Sequence, residues 1–151
     1  MATTGNNPYR SYVETQVATA TPEQLVIMLY NGAVQRCQTA RRAMAERDWE
    51  ATHHSLVKAQ AIVAEMMASL DLEQGGELAG GLWRIYDYVY HQLVQANLLR
   101  EVQRVEECQK LLQMLLDGWQ EAFQGEEPET EAAAAREPQP AVASGGLNIR
   151  G

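Results

Sequence analysis

The sequence predicts an all-α fold built from four amphipathic helices, and three observations predict it. Apolar residues recur at three- and four-residue steps through most of residues 21–124. Hydrophobic residues make up 46% of the 151, yet only one is Phe, and Ala, Leu, Val and Met carry most of the rest. Such side chains suit helices packed closely together. Of the five prolines, only Pro22 falls between residues 9 and 127, so few positions forbid a helix.

Residues 1–20 read as an N-terminal cap segment, in which Tyr9-Arg10-Ser11-Tyr12 is followed by a polar linker. Thr21-Pro22-Glu23-Gln24 then signals a helix start. The Thr21 hydroxyl can accept a free backbone N–H three residues on, Gln24 can reach back, and Pro22 lacks an N–H where none is needed. The first predicted helix runs from Pro22 to Glu46. Leu25, Met28, Leu29, Gly32, Ala33, Cys37, Ala40 and Ala43 form its stripe, interrupted by Arg36. Leu25, Leu29, Tyr30 and Gly32 belong to the core or its edge. Gly32 costs about 1 kcal/mol relative to Ala in a helix, a cost that the close approach of another backbone would offset.

Asp48 is the expected N-cap of a second helix, Trp49 to Leu70, with Leu56, Ala59, Ile62, Val63, Met66, Met67 and Leu70 as its stripe. Gly75-Gly76 breaks the pattern. From Glu77 to Gln124 a single helix would extend about 72 Å at about 1.5 Å per residue, too long for so small a domain to cover. A break is therefore expected near Asn97–Glu101, with Asn97 supplying the turn chemistry. It separates the stripe Leu78, Leu82, Ile85, Val89, Leu93, Ala96 from the stripe Val102, Val105, Leu112, Leu115, Leu116, Trp119, Phe123. Residues 21–124 thus form the helical body. Residues 125–151, rich in Glu, Ala and Pro without apolar periodicity, are expected to be a disordered acidic tail.

The net charge of −8 excludes a nucleic-acid surface, and anionic lipid would repel it. The tail carries −3 of that charge, leaving the body at −5. Cys37 and Cys108 are isolated, as expected of buried free thiols in a reducing compartment. MATTGNNPY lacks the features of a signal peptide, and no apolar run is long enough for a membrane span. The expected location is the cytosol.

Enzymatic chemistry finds little support. Glu50 and His53 form a Glu-x-x-His with His54 beside them, but di-iron bundles need two such motifs and further inward glutamates. His91 follows Asp87 by one turn. No HExxH, zinc-type cysteine cluster or GxSxG occurs, and Gly75-Gly76 and Gly80-Gly81 lack the phosphate-loop context. No catalytic site, metal site or cofactor is expected. A second apolar stripe, Trp83, Tyr86, Tyr90 and Val94, together with Met28, Met66 and Met67, favours a protein-binding module instead.

The residues then resemble a known family. NPYRSYVETQVATATPEQLVIMLYNGA looks like the N-terminal signature of the FliS family of flagellar export chaperones. The likeness continues through Lys58-Ala59-Gln60-Ala61-Ile62-Val63, Ser69-Leu70-Asp71, Leu82-Trp83, Ile85-Tyr86-Asp87-Tyr88, Leu93-Val94, Ala96-Asn97, Trp119 and Ala122. It covers about residues 8–124. The resemblance implies an antiparallel four-helix bundle that binds the disordered C-terminal segment of flagellin in the cytosol. Occupying that segment would keep subunits from polymerising until delivery to the flagellar export-gate component. Tyr9 and Tyr12 match the family's N-terminal aromatic positions, which can lie over the groove as a lid. Ile62, Met66 and Leu70, with Tyr86, Tyr90 and Leu93, supply candidate groove surface by stripe position. The junction Leu98-Leu99-Arg100-Glu101 departs from the family in lacking a capping Asp or Asn. Two rival readings are a metal-dependent bundle enzyme using Glu50 and His53, and a structural helical protein that self-associates as a weak homo-oligomer.

Overall fold

The structure is a computed structural model and describes residues 8–126. Of the expected tail at 125–151, residues 125–126 instead extend α5, and the rest lies outside the described residues, as do residues 1–7. Five helices and no strand are found among the described residues: α1 (Pro8–Thr19), α2 (Pro22–Ala45), α3 (Trp49–Ala68), α4 (Leu72–Leu99) and α5 (Val102–Glu126).

The linker expected after Tyr12 is helical instead. Residues 9–19 contain neither Gly nor Pro, and Arg10 Nε lies 3.5 Å from Glu14 Oε2 one turn on. Both side chains are well exposed, so that pair adds little. The helix stops because Thr21 precedes Pro22 and is driven to an extended conformation, φ −72°, ψ 164°.

Thr21 then starts α2 as expected. Gln24 N–H donates to Thr21 Oγ1 at 3.1 Å, and Thr21 N–H donates to Gln24 Oε1 at 2.9 Å. At the far end Arg47 takes a left-handed conformation, φ 58°, and Asp48 N–H reaches back to the Ala43 carbonyl at 2.9 Å. This is the usual glycine closure made without glycine, at a cost of about 1–2 kcal/mol. Asp48 caps α3 by accepting from Ala51 N–H at 3.1 Å. α3 ends two residues before the expected Leu70, where Ser69 Oγ donates to the Met66 carbonyl at 2.8 Å.

The glycine pair does not precede the next helix but kinks it. Asp71 accepts from Gln74 N–H at 3.0 Å and starts α4 at Leu72. Gly76 then interrupts the helix with φ 59°, ψ −135°, a conformation glycine alone adopts readily. The break between α4 and α5 falls in the expected window, but Arg100 makes it rather than Asn97. Arg100 adopts φ 56°, and Glu101 N–H closes onto the Ala96 carbonyl at 3.2 Å. Its guanidinium sits 4.5 Å over the Trp49 ring, an attraction that helps offset the backbone cost.

α2 packs on α3 and α5, and α4 packs on the same two, closing a cycle of four helices. The core includes Tyr30, Cys37, Leu56, Val63, Val89, Leu93, Val105, Cys108 and Leu112, all essentially sealed from water. Each large aliphatic side chain there contributes about 1.5–3 kcal/mol by burial. Gly32 does create space, but a side chain fills it: a Cβ at this position would lie 3.3 Å from Ile62 Cδ1.

Candidate partner-binding surface

The six stripe residues proposed for a groove divide into two sets. Met66, Tyr86 and Leu93 are buried, so they build the core and offer no surface. Ile62, Leu70 and Tyr90 are partly buried against the core. The division follows from helix geometry: Leu56, Ala59, Val63 and Met66 point inward on α3, which leaves Ile62 at the stripe's edge, while Leu70 lies beyond the helix end. Tyr90 makes an edge-on contact with His91, ring centroids 5.8 Å apart.

Tyr86 is inward because its polar end has partners there. Its Oη lies 2.5 Å from Tyr30 Oη, and Trp119 Nε1–H donates to Tyr30 Oη at 3.1 Å. The tyrosine rings meet edge to face with centroids 6.2 Å apart. Three side chains from α2, α4 and α5 thereby satisfy one another in a site where an unmade hydrogen bond costs about 1–3 kcal/mol. Burial pushes the Tyr30 phenol up to about 12 and raises Tyr86 further, so both stay protonated at neutral pH. Trp119 stacks on Phe123 at 5.5 Å.

Tyr9 and Tyr12 lie on α1. Tyr12 is 63% exposed. Leu25 is likewise at the exposed edge of α2. The stripes leave out Leu72 and place Leu78 with the core, whereas Trp83 already belongs to the second apolar stripe. Leu72, Leu78 and Trp83 are exposed, Leu72 by 52%, although Leu78 had looked like core. For Leu72 the available signal was the Gly75-Gly76 pair, whose kink separates the first turn from the rest of α4, where Leu78 and Trp83 lie.

The metal reading gains nothing from the geometry. Glu50 and His53 are exposed, and His53 Nδ1 lies 2.8 Å from the Asn97 amide nitrogen across α3 and α4. His91 Nδ1 lies 2.9 Å from the carbonyl of Asp87 and 3.4 Å from its carboxylate. No group of three or more metal-ligating side chains is found among the described residues. Cys37 and Cys108 are buried and free, as expected. Burial pushes both thiols up to about 12, and Cys108 Sγ donates to the Val89 carbonyl at 3.7 Å. No described helix is long and apolar enough to cross a membrane.

An all-helical body that keeps apolar side chains at its edges and at one helix start fits the class of helical binding modules. Residues 5–126 match the family model described as "Flagellar protein FliS". The chain is 36% identical over 120 residues to the flagellar secretion chaperone FliS of Bacillus subtilis, spanning 80% of this chain and 89% of that one. It is 38% identical over 110 residues to the flagellar secretion chaperone FliS of Salmonella typhimurium, spanning 72% and 82%. A solved structure described as "Crystal structure of flagellar chaperone from bacteria" shares the fold with a TM-score of 0.66 at 20% identity. That match covers 78% of this chain and 95% of the other. The chain belongs to the FliS family, a family of flagellar chaperones and not of enzymes.

Proposed function

We propose that this chain is a cytosolic chaperone that binds the C-terminal segment of flagellin, prevents its premature polymerisation and delivers it to the flagellar export gate. The observation that carries this reading is the 36% identity to a flagellar secretion chaperone across 120 residues, nearly the whole helical body. The cycle α2–α3–α4–α5 is read as an antiparallel four-helix bundle. Arg41 meets Gln109 and Tyr30 meets Trp119, while His53 meets Asn97, contacts that set the start of one helix beside the end of its neighbour. Ile62 on α3, Leu70 just past its end and Tyr90 on α4 are the groove residues. Their half-buried apolar surface suits a helix or extended segment that brings its own apolar side chains. Affinity would come from about 25 cal/mol per Å² buried, less the cost of ordering the ligand.

Tyr9 and Tyr12 are read as a displaceable lid. The exposure of Tyr12 suits a lid that can leave the groove, and extended Thr21 is the point about which α1 would swing. Calorimetric titration of the full chain with the C-terminal segment of flagellin tests both ideas. Tyr90→Asp should weaken binding by about tenfold or more, since it places a charge against an apolar ligand. Tyr12→Ala should leave the fold intact but change the affinity, and an unchanged affinity would remove the lid. Absence of any binding heat across temperatures would remove the chaperone reading itself.

A further inference from the structure

A second surface, away from Ile62, Leu70 and Tyr90, has the opposite electrostatic character from the rest of the chain. Between the end of α2 and the start of α5 lies an open groove of about 770 Å³, within the range of ligand-sized sites. Arg41, Arg42 and Arg100 line it against a single acid, Glu106. Acids outnumber Lys and Arg by 20 to 12 in the whole chain, so a local excess of cations is unexpected by composition. Trp49 and Val102, both partly buried, also line the groove and give it apolar surface.

The three guanidiniums are held differently. Arg41 Nη2 lies 3.6 Å from Glu106 Oε2, and Arg41 Nη1 donates to Gln109 Oε1 at 3.0 Å. It is already paired with an acid. Arg42 donates to the Thr39 hydroxyl at 3.3 Å, and Arg100 lies over the face of Trp49. Neither Arg42 nor Arg100 has a carboxylate within ion-pair distance among the described residues. Both are exposed. Arg100 is also the residue that adopts φ 56° at a position where glycine would be unstrained.

We infer that this groove docks an acidic protein segment carrying an aromatic or large aliphatic residue. Its carboxylates pair with Arg42 and Arg100, and the apolar residue covers Trp49 and Val102. Charge complementarity selects the occupant, because guanidinium forks match carboxylates in geometry as well as sign. The glutamates at residues 126–131 do not reach the groove. α5 carries residue 126 about 36 Å along its axis from residue 102. The five residue steps from Glu126 to Glu131 span at most about 18 Å, so the cluster of glutamates there falls well short of the groove. Nucleic acid is disfavoured by the net charge of −8.

The test uses the full chain and a peptide labelled at its N-terminus, fluorescein-DEEFLDEE-NH2, followed by anisotropy at low and moderate salt. Wild-type protein should bind it, and binding should weaken as salt rises. The same peptide with Phe-Leu replaced by Gly-Ser should bind more weakly. Arg42→Glu should reduce affinity about tenfold and Arg100→Gly about fivefold. Glycine adopts the left-handed backbone freely, so Arg100→Gly decides the matter should Arg42→Glu fail to fold. Saturating flagellin C-terminal segment should leave the peptide bound, which separates this site from the flagellin reading. Five outcomes would each overturn the proposal: no binding, affinity untouched by either substitution, equal binding of a short oligothymidylate, displacement by the flagellin segment, or self-association that Arg42→Glu abolishes.

Discussion

The hydroxyl of Tyr86 shows how one polar atom can decide where a whole side chain goes. It lies 2.5 Å from Tyr30 Oη, which also accepts from Trp119. Tyr86→Phe should therefore destabilise the fold by about 1–2 kcal/mol, seen as a lower urea midpoint with an unchanged slope. The same burial makes stability pH-dependent. Cys37 and Cys108 are raised from 9.0 to about 12, Tyr30 from 10.0 to about 12, and Tyr86 is raised as well. Raised groups keep their protons in the fold after the unfolded chain has released them. Their contribution is full below about pH 9 and is lost progressively as pH rises towards 12. Urea midpoints should stay level to about pH 9 and then fall. A midpoint that rose above pH 9 would contradict the buried placement of these groups. At this scale the sequence was partly legible. The Thr21–Gln24 capping box is a local pattern of three residues' reach, and it formed as expected. Tyr86 was not legible as core, because its partner Tyr30 is distant in sequence and only tertiary packing brings the two hydroxyls together.

At the scale of elements, glycines separate what pattern can show from what it cannot. Gly76 adopts φ 59°, so Gly76→Ala should cost about 1–3 kcal/mol and straighten or fray the start of α4. The effect would appear as earlier thermal unfolding and loss of helical signal. Gly32→Ala should have the opposite sign. The gain of about 1 kcal/mol in helix propensity exceeds the cost of moving Ile62 Cδ1, the flexible end of a side chain, by a few tenths of an ångström. The same shift would disturb a groove residue, so stability should rise slightly while flagellin affinity falls. Both changes are read from paired urea and calorimetric curves. The apolar stripes located α2, α3, α4 and α5 because burial imposes the 3.6-residue period on them. α1 lacked that signal, since its described side chains are exposed apart from half-buried Val13, and a helix without a buried face leaves no stripe. The turn at Arg100 was hidden for another reason: a left-handed arginine has no sequence signature, and Trp49, which sits under its guanidinium, is remote in the chain.

At the scale of the molecule, the four-helix cycle leaves Ile62, Leu70 and Tyr90 half-covered, and Leu72, Leu78 and Trp83 exposed at the start of α4. Family membership was legible because the resembling tracts spread over nearly the whole body, and the match over residues 5–126 agrees with them. The boundary between core and surface was not, because stripe position alone does not separate a residue facing a neighbouring helix from one at its edge. Met66 and Ile62 lie one turn apart on α3, and only the first is sealed. The most direct measurement is an NMR titration of the isotopically labelled full chain with the C-terminal segment of flagellin from the same organism. Saturable shifts should centre on Ile62, Leu70 and Tyr90, extend to Tyr12, and leave buried Leu93 and Leu112 comparatively still. A spectrum that does not change on adding the segment would contradict the account.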